Sequence, residues 1–126
     1  MKIFTTALRL PNKPTLRGEI WLVKLNPTIG TEISKTRPAI IVNDNAIGIL
    51  PLKVIVPITD WKEPFATRPW MIRLDPNVTN GLGKLSGADT FQVRSVSETR
   101  LVKQLGKLDD TAMVAISEAL AIVLAI

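Results

Sequence analysis

The chain contains neither cysteine nor histidine. Without cysteine it can form neither a disulfide framework nor a thiolate metal site. Without histidine, imidazole base catalysis, Ser-His triads and His-ligated zinc are excluded. The acidic residues are not densely clustered either, so a two-metal nuclease site is not expected.

Long apolar runs are also missing. No segment reaches the ~18 uninterrupted apolar residues that a membrane-spanning helix needs. The segment that comes nearest, Thr111 to Ile126, is interrupted by Ser117 and Glu118. Residues 1–16 lack the continuous apolar core of a secretory signal. We therefore expect a cytoplasmic protein with no membrane partner.

Length and charge set the class of protein. The 126 residues suit one compact domain, and 46% apolar with 21% charged residues predict a folded chain. Two prolines, Pro11 and Pro14, indicate an extended or irregular N-terminal arm over residues 1–16, with a single domain over residues 17–126. Sixteen Lys and Arg against eleven acids give a net charge of +5. This excess favours an anionic partner such as nucleic acid, although solubility alone also accounts for it.

Short β-branched segments bounded by turn residues predict strands. In the first strand, apolar residues alternate onto both faces, so both faces should contact protein. Near the C-terminus, Asp109 and Asp110 can cap a helix over Thr111–Leu124. The pattern predicts a mainly β fold with a C-terminal helix, built as a small antiparallel barrel. The predicted strands are Glu19–Leu25, Ala39–Val42, Val54–Ile58, Met71–Leu74 and Phe91–Val96.

Several ordered sequence blocks resemble the MazF/PemK (Kid) family of toxin endoribonucleases. The resemblance runs from Arg17 to the end of the chain, and the ordered combination is more specific than any single block. The blocks are Gly-Glu-Ile-Trp-Leu-Val at 18–23, Leu-Asn-Pro-Thr at 25–28, Gly30 with Glu32, Thr-Arg-Pro at 36–38, Pro-Ile-Thr at 57–59 and Gln-Val-Arg-Ser at 92–95.

The resemblance implies a fold, an activity and partners. The fold would be an SH3-like small β-barrel of the CcdB/PemK/MazF type, assembled as a homodimer. The activity would be sequence-specific cleavage of single-stranded RNA without metal or cofactor, in which the substrate 2′-hydroxyl attacks the adjacent phosphorus. The products would be a 2′,3′-cyclic phosphate and a 5′-hydroxyl. The chain would be the toxin of a toxin–antitoxin system and would be inhibited by a cognate antitoxin protein.

Two residues match the catalytic positions of the family. Arg37 supplies an always charged, planar fork suited to the extra negative charge on phosphorus, and Pro38 steers it into an extended conformation. Thr59 can donate its hydroxyl to the phosphate. Arg37 could instead be a surface arginine paired with Glu32, and Thr59 an ordinary threonine at a strand end.

Substrate contacts are predicted around these two residues. Glu32 matches a position in the family's flexible loop, where it could orient Arg37, accept a proton or remain solvated. Trp61 and Phe65 could stack bases, or one of them could fold onto the core. The cations predicted to extend the binding surface, each of which could instead be a solvated charge, are Lys35, Lys62 and Arg94.

Two positions depart from the family pattern and leave the proton acceptor unassigned. Some members have histidine where this chain has Thr31, and many have aspartate where it has Phe91. Asp89, two residues earlier, need not replace that aspartate. Two other functions stay open: a CcdB-like toxin that inhibits gyrase without cleaving anything, and a catalytically inactive RNA-binding barrel. The C-terminal helix lacks the terminal aromatic anchor expected of a CcdB-like toxin.

Overall fold

A computed structural model describes residues 15–47 and 50–126. Nearly all of the predicted N-terminal arm, residues 1–16, lies outside the described residues. The described part forms seven strands and one helix. In chain order these are β1 (Glu19–Lys24), β2 (Thr36–Ile41), β3 (Leu52–Asp60), β4 (Met71–Leu74), β5 (Ser86–Asp89), β6 (Arg94–Ser97), β7 (Leu101–Lys107) and α1 (Asp110–Leu124).

The seven strands form one antiparallel sheet in the order β4-β5-β3-β2-β1-β7, with β6 also paired to β3. The long strand β3 joins its parts. Residues 55–57 pair with β2, residues 52–55 with β6 and residues 58–60 with β5. The predicted mainly β fold with a C-terminal helix is confirmed, and the sheet is barrel-like but open.

Both faces of the central strands are apolar, and each face has its own core cluster. The first cluster contains Ile20, Ile40 and Val56 and continues to Ile116 of α1. The second contains Val23, Ala39 and Ile55, and Ile33 of the β1–β2 loop (residues 25–35) packs against it. Alternate residues of a strand point to opposite faces, which explains why β1 contributes to both clusters. The prediction of a two-sided first strand is therefore confirmed.

Helix α1 covers only one face of the sheet. Its N-cap is Asp109, whose carboxylate accepts a hydrogen bond from the Ala112 amide at 2.8 Å, so the helix begins at Asp110, one residue before the predicted start. Ile116 and Ala119 are its buried residues. None of the described helices has the length and apolar character required to span a bilayer. The opposite face, which carries the second cluster, is left for other contacts.

The strand prediction was wrong in one segment and incomplete in two others. Residues 91–96 do not form one strand, because Asp89 accepts the Phe91 amide and begins a 3-10 turn over Thr90–Gln92. Strand β6 starts only at Arg94. Two strands, β5 and β7, were not predicted. The Ser-Gly-Ala-Asp sequence of β5 has no large apolar alternation.

Candidate active site

Arg37 and Thr59 lie at the same end of the β2–β3 pair. The last pair of that ladder joins Ala39 to Pro57, and Arg37 and Thr59 each lie two residues further toward this end. Residues two apart in a strand share a face. Both side chains therefore lie on the face of Ala39, which belongs to the second core cluster and faces away from α1.

The Arg37 guanidinium makes a single hydrogen bond within the described structure. The side chain is half-buried, and its Nε donates to the Ser34 carbonyl at 3.4 Å, the long end of the hydrogen-bond range. Arg37 and Glu32 do not pair with each other in the described structure. Glu32 Oε1 instead accepts the Ile29 amide at 2.5 Å. The guanidinium therefore retains donors for a ligand.

An aromatic pair follows Thr59 along the chain. The rings of Trp61 and Phe65 meet edge to face, with centroids 5.6 Å apart. The Arg68 guanidinium lies 5.4 Å from the Phe65 centroid, and that of Arg73 lies 6.0 Å from the Trp61 centroid. Both rings are half-buried, and neither belongs to a core cluster. The pair presents an aromatic surface flanked by cations. Such a surface can bind single-stranded nucleic acid by stacking on its bases and attracting its phosphates.

A glycine places Trp61 beside Thr59. Gly87 of β5 pairs with Thr59, and a Cβ atom built on Gly87 would come within 3.2 Å of Trp61 Cε3 and 3.1 Å of Met71 Sδ. The indole therefore lies directly over the glycine backbone. Any larger residue would displace the ring from the vicinity of Thr59.

The β1–β2 loop is attached to the turn at Thr90–Gln92 through one side chain. Gln92 Oε1 accepts the Ile33 amide at 2.6 Å, and Gln92 Nε2 donates to the Thr31 carbonyl and to Asp89 Oδ2, each at 3.3 Å. At the base of the loop, Arg94 Nη1 donates to the Leu25 carbonyl at 3.2 Å. These bonds hold the loop over the second face of the sheet.

A pocket of about 490 Å³ opens between this loop and the turn. Asp89, at its side, is only 9% exposed. Burial raises the pKa of Asp89, and hydrogen bonds from Phe91 and Gln92 together with the charge of Arg68 oppose that rise. A perturbed carboxylate in a pocket is typical of functional sites. The pocket is lined in part by Glu32, Pro57, Asp89, Phe91, Gln92 and Arg94.

The sequence comparison decides the family. Residues 16–124 match the family described as PemK-like, MazF-like toxin of type II toxin–antitoxin system. The chain belongs to this family. The prediction drawn from the Gly-Glu-Ile-Trp and Thr-Arg-Pro blocks is thereby confirmed, and nothing favours the alternative of a CcdB-like gyrase inhibitor.

Relatives of the PemK/MazF family match most of the chain. Endoribonuclease MazF9 from Mycobacterium tuberculosis is 29% identical over 110 residues, covering 82% of this chain and 91% of that protein. The crystal structure of MazF from Deinococcus radiodurans has a TM-score of 0.76 at 20% identity and covers 91% of this chain and 100% of that chain. A mycobacterial endoribonuclease in complex with its cognate antitoxin has a TM-score of 0.72 at 22% identity, covering 89% and 96%. The structural matches confirm the predicted barrel-like fold.

Within the PemK/MazF fold, the predicted site residues fall into two neighbouring groups. Glu32 and Arg94 line the pocket. Thr59, Trp61 and Phe65 surround the end of β3. Arg37 lies on the same face of the sheet, whereas the side chains of two lysines, Lys35 and Lys62, are exposed at the edges of the site.

The pocket residues that sequence reasoning did not select include Asp89, Phe91 and Gln92. Their signal was the spacing of Asp89 and Gln92, three residues apart, which lets a turn bring the two side chains together. In the described part of the chain, no group of three or more carboxylates is arranged to hold a metal ion.

Proposed function

We propose that this chain is the toxin of a toxin–antitoxin pair and acts in the cytoplasm as a sequence-specific endoribonuclease on single-stranded RNA, without metal or cofactor. One observation carries this proposal. Arg37 and Thr59 share one face at one end of the β2–β3 pair, beside the Trp61–Phe65 pair, in a chain of the PemK/MazF family. Its relative from Mycobacterium tuberculosis is named an endoribonuclease.

The reaction assigned to this site is a transesterification within the RNA. The 2′-hydroxyl oxygen forms a bond to the adjacent phosphorus while the bond from phosphorus to the 5′-oxygen breaks. The products are a 2′,3′-cyclic phosphate and a 5′-hydroxyl. Arg37 stabilises the added negative charge with its unused donors, and Thr59 donates its hydroxyl to a phosphate oxygen. The 2′-hydroxyl gives its proton to water or to a carboxylate of the adjoining loop such as Glu32, and water returns a proton to the leaving oxygen.

Binding uses the surfaces on either side of the scissile phosphate. The Trp61–Phe65 pair stacks bases, because every base has a π-face that an aromatic ring can cover. Lys35, Lys62 and Arg94 neutralise neighbouring phosphates, so affinity should fall as salt rises. The net charge of +5 acts in the same direction.

The net positive charge also favours binding of an acidic antitoxin. We assign to the antitoxin an extended acidic segment that lies across the basic surface and blocks RNA. The mycobacterial structural neighbour was solved with its cognate antitoxin.

A homodimer is proposed as well, because Val114, Ile122 and Leu124 of α1 are each more than half exposed. A monomeric mass in light scattering at micromolar concentration would contradict the dimer.

The decisive experiment incubates the purified protein with long RNA in EDTA and identifies the fragment ends. Cleavage should continue and leave 2′,3′-cyclic phosphate and 5′-hydroxyl ends. Replacing only the ribose on the 5′ side of the scissile phosphate with deoxyribose should block cleavage while binding persists. A strict need for magnesium, or cleavage at the deoxy position, would contradict this mechanism. Binding without any cleavage would favour the inactive RNA-binding barrel.

A further inference from the structure

Phe91 gives the pocket an aromatic wall. Its side chain is 67% exposed although it is a large apolar residue. Its ring meets that of Trp70 edge to face, with centroids 5.8 Å apart and planes at 65°. Trp70 is also tied to the adjoining turn, since its carbonyl accepts the Thr90 hydroxyl at 2.6 Å. The Phe91 ring packs against Trp70 on one side, and its exposure leaves ring surface for a planar ligand.

The polar atoms beside Phe91 are hydrogen-bond acceptors. Asp89 Oδ1 accepts the Phe91 amide at 3.1 Å and Oδ2 accepts Gln92 Nε2 at 3.3 Å, and the Gln92 backbone amide adds a third hydrogen bond to the carboxylate. The two oxygens can accept further N–H groups, because a carboxylate offers about four lone-pair sites and a lone pair can be shared. Both hydrogens of Gln92 Nε2 are used, one by Asp89 and one by the Thr31 carbonyl. A ligand edge that meets Asp89 and Gln92 must therefore supply N–H donors.

Of the four RNA bases, guanine has the matching edge. Its Watson–Crick edge carries two adjacent donors, N1–H and the N2 amino group, which fit the two oxygens of one carboxylate. Adenine and cytosine place a ring nitrogen acceptor next to their amino group, and that acceptor would face a carboxylate oxygen. Uracil has one N–H between two carbonyls, so it too meets the carboxylate with an acceptor. A carboxylate therefore selects guanine.

We propose that the pocket between the β1–β2 loop and the Thr90–Gln92 turn binds one guanine base of single-stranded RNA, stacked on Phe91 and hydrogen-bonded to the Asp89 carboxylate. This inference rests on the proposed function and adds a base-specific subsite to it. The volume of about 490 Å³ falls within the range of small-ligand pockets.

The charges around the pocket are compatible with RNA. Glu32 and Asp89 place two acids there, while Arg94 lines the same pocket and Arg68 acts on Asp89 through its charge. The two cations offset the two acids, so the phosphate of the bound nucleotide is not repelled. Burial raises the pKa of the Asp89 carboxyl, and its hydrogen bonds together with the charge of Arg68 oppose that rise. N–H groups of guanine would act in the same direction as these partners and stabilise the carboxylate.

The test measures binding to short unstructured RNAs that carry one central guanine or, in its place, inosine, adenine, cytosine or uracil. Inosine differs from guanosine only by lacking the N2 amino group. Wild-type protein should bind the guanine RNA roughly tenfold more tightly than the inosine RNA, because a hydrogen bond to a carboxylate is lost. Asp89→Asn should reduce that difference to about twofold or less, since the amide removes one of the two acceptors.

Phe91 is tested separately because its exposure keeps substitutions from disturbing the fold. Phe91→Ala should weaken binding of the guanine RNA roughly 5- to 100-fold. Phe91→Trp should retain affinity, while Phe91→Leu, which is apolar without a π-face, should not. Val78→Ala is the matched control, because Val78 is fully exposed and lies outside the pocket.

The outcomes separate this proposal from the proposed function. If wild-type protein cleaves RNA but binds guanine and inosine RNAs equally, or if Phe91→Ala binds like Val78→Ala, the guanine subsite is wrong and the endoribonuclease stands. If wild-type protein neither binds nor cleaves RNA, both are overturned. A guanine at a fixed position beside each cleavage site in sequenced fragments would support both.

Discussion

Replacing Arg37 with alanine should separate catalysis from stability more sharply than any other change in the site. Arg37 is half-buried, and among the described residues its guanidinium makes one hydrogen bond, from Nε to the Ser34 carbonyl at 3.4 Å. A bond of that length contributes at most about 1 kcal/mol to the free energy of unfolding. The neighbouring strand pairs, such as Ala39 with Pro57, do not involve this side chain. The folded state should therefore persist.

The expected effect on the reaction is much larger. If Arg37 stabilises the charge that develops on phosphorus, its removal should lower the cleavage rate by roughly 10² to 10³, about 2.7–4 kcal/mol in activation free energy. Arg37→Lys keeps the charge but loses the planar fork, so we expect an intermediate rate, about tenfold or more below wild type. Binding of uncleaved RNA should weaken less than the rate, since the aromatic and phosphate contacts remain.

The assay follows single-turnover cleavage of a fluorescent RNA with enzyme in excess, and urea unfolding measures stability on the same samples. Lys103→Ala is the control, because Lys103 is an exposed cation of β7 and β7 does not line the pocket. It should cleave within about twofold of wild type. If Arg37→Ala, folded and as stable as expected, cleaves at the control rate, Arg37 is not the transition-state cation.

Three further predictions concern the scaffold of the site. Gln92→Ala removes the anchor of the β1–β2 loop, so hydrogen exchange at the Ile33 amide should accelerate and cleavage should slow by about tenfold; unchanged exchange would show that the loop is held elsewhere. Because burial raises the pKa of Asp89 above its ordinary 3.8, the folded state holds this proton more tightly than the unfolded chain, and wild-type stability should fall relative to Asp89→Asn as pH rises from about 3 to about 7. A melting-temperature difference that is constant with pH would contradict this. Gly106→Ala places a Cβ atom 2.3 Å from the Thr79 carbonyl oxygen and should cost on the order of 3 kcal/mol in urea unfolding, whereas Gly83→Ala, with nothing within 4 Å, should cost far less.

Local patterns predicted the elements that depend on local chemistry. The four residues Met71–Leu74 were placed correctly as a strand, and the helix start was missed by one residue because Asp109 itself is the cap. Strand β5 escaped prediction because Ser86–Asp89 is small and polar, yet all four residues are buried between β3 and β4. Its conformation is set by two neighbouring strands, which no local window contains.

The residues of the candidate site also divide into those that the local sequence indicated and those that it did not. Arg37 and Thr59 were chosen from their sequence blocks, and the register of β2 and β3 explains how residues 22 positions apart come to share one face. Asp89 and Gln92 were not chosen, since a carboxylate and an amide three residues apart are common on any surface. Their role in the site depends on the hydrogen bond from the Ile33 amide to Gln92, and these two residues lie 59 positions apart in the chain. The three-residue spacing alone does not reveal a tertiary contact of that kind.

The two-sided sheet explains why one small domain can be stable and carry an exposed site. Helix α1 and the first cluster fill one face, and that cluster has ten buried residues against six in the second. The second cluster is smaller, and the face that carries it continues past Ala39 as Pro57 and Thr59 with no covering helix in the described part of the chain. Among the described residues, the β1–β2 loop lies over this face, and side-chain hydrogen bonds of Gln92 and Arg94 help to hold it there. Such bonds are individually weak, so the loop can yield to RNA while the helix-covered face keeps the fold intact.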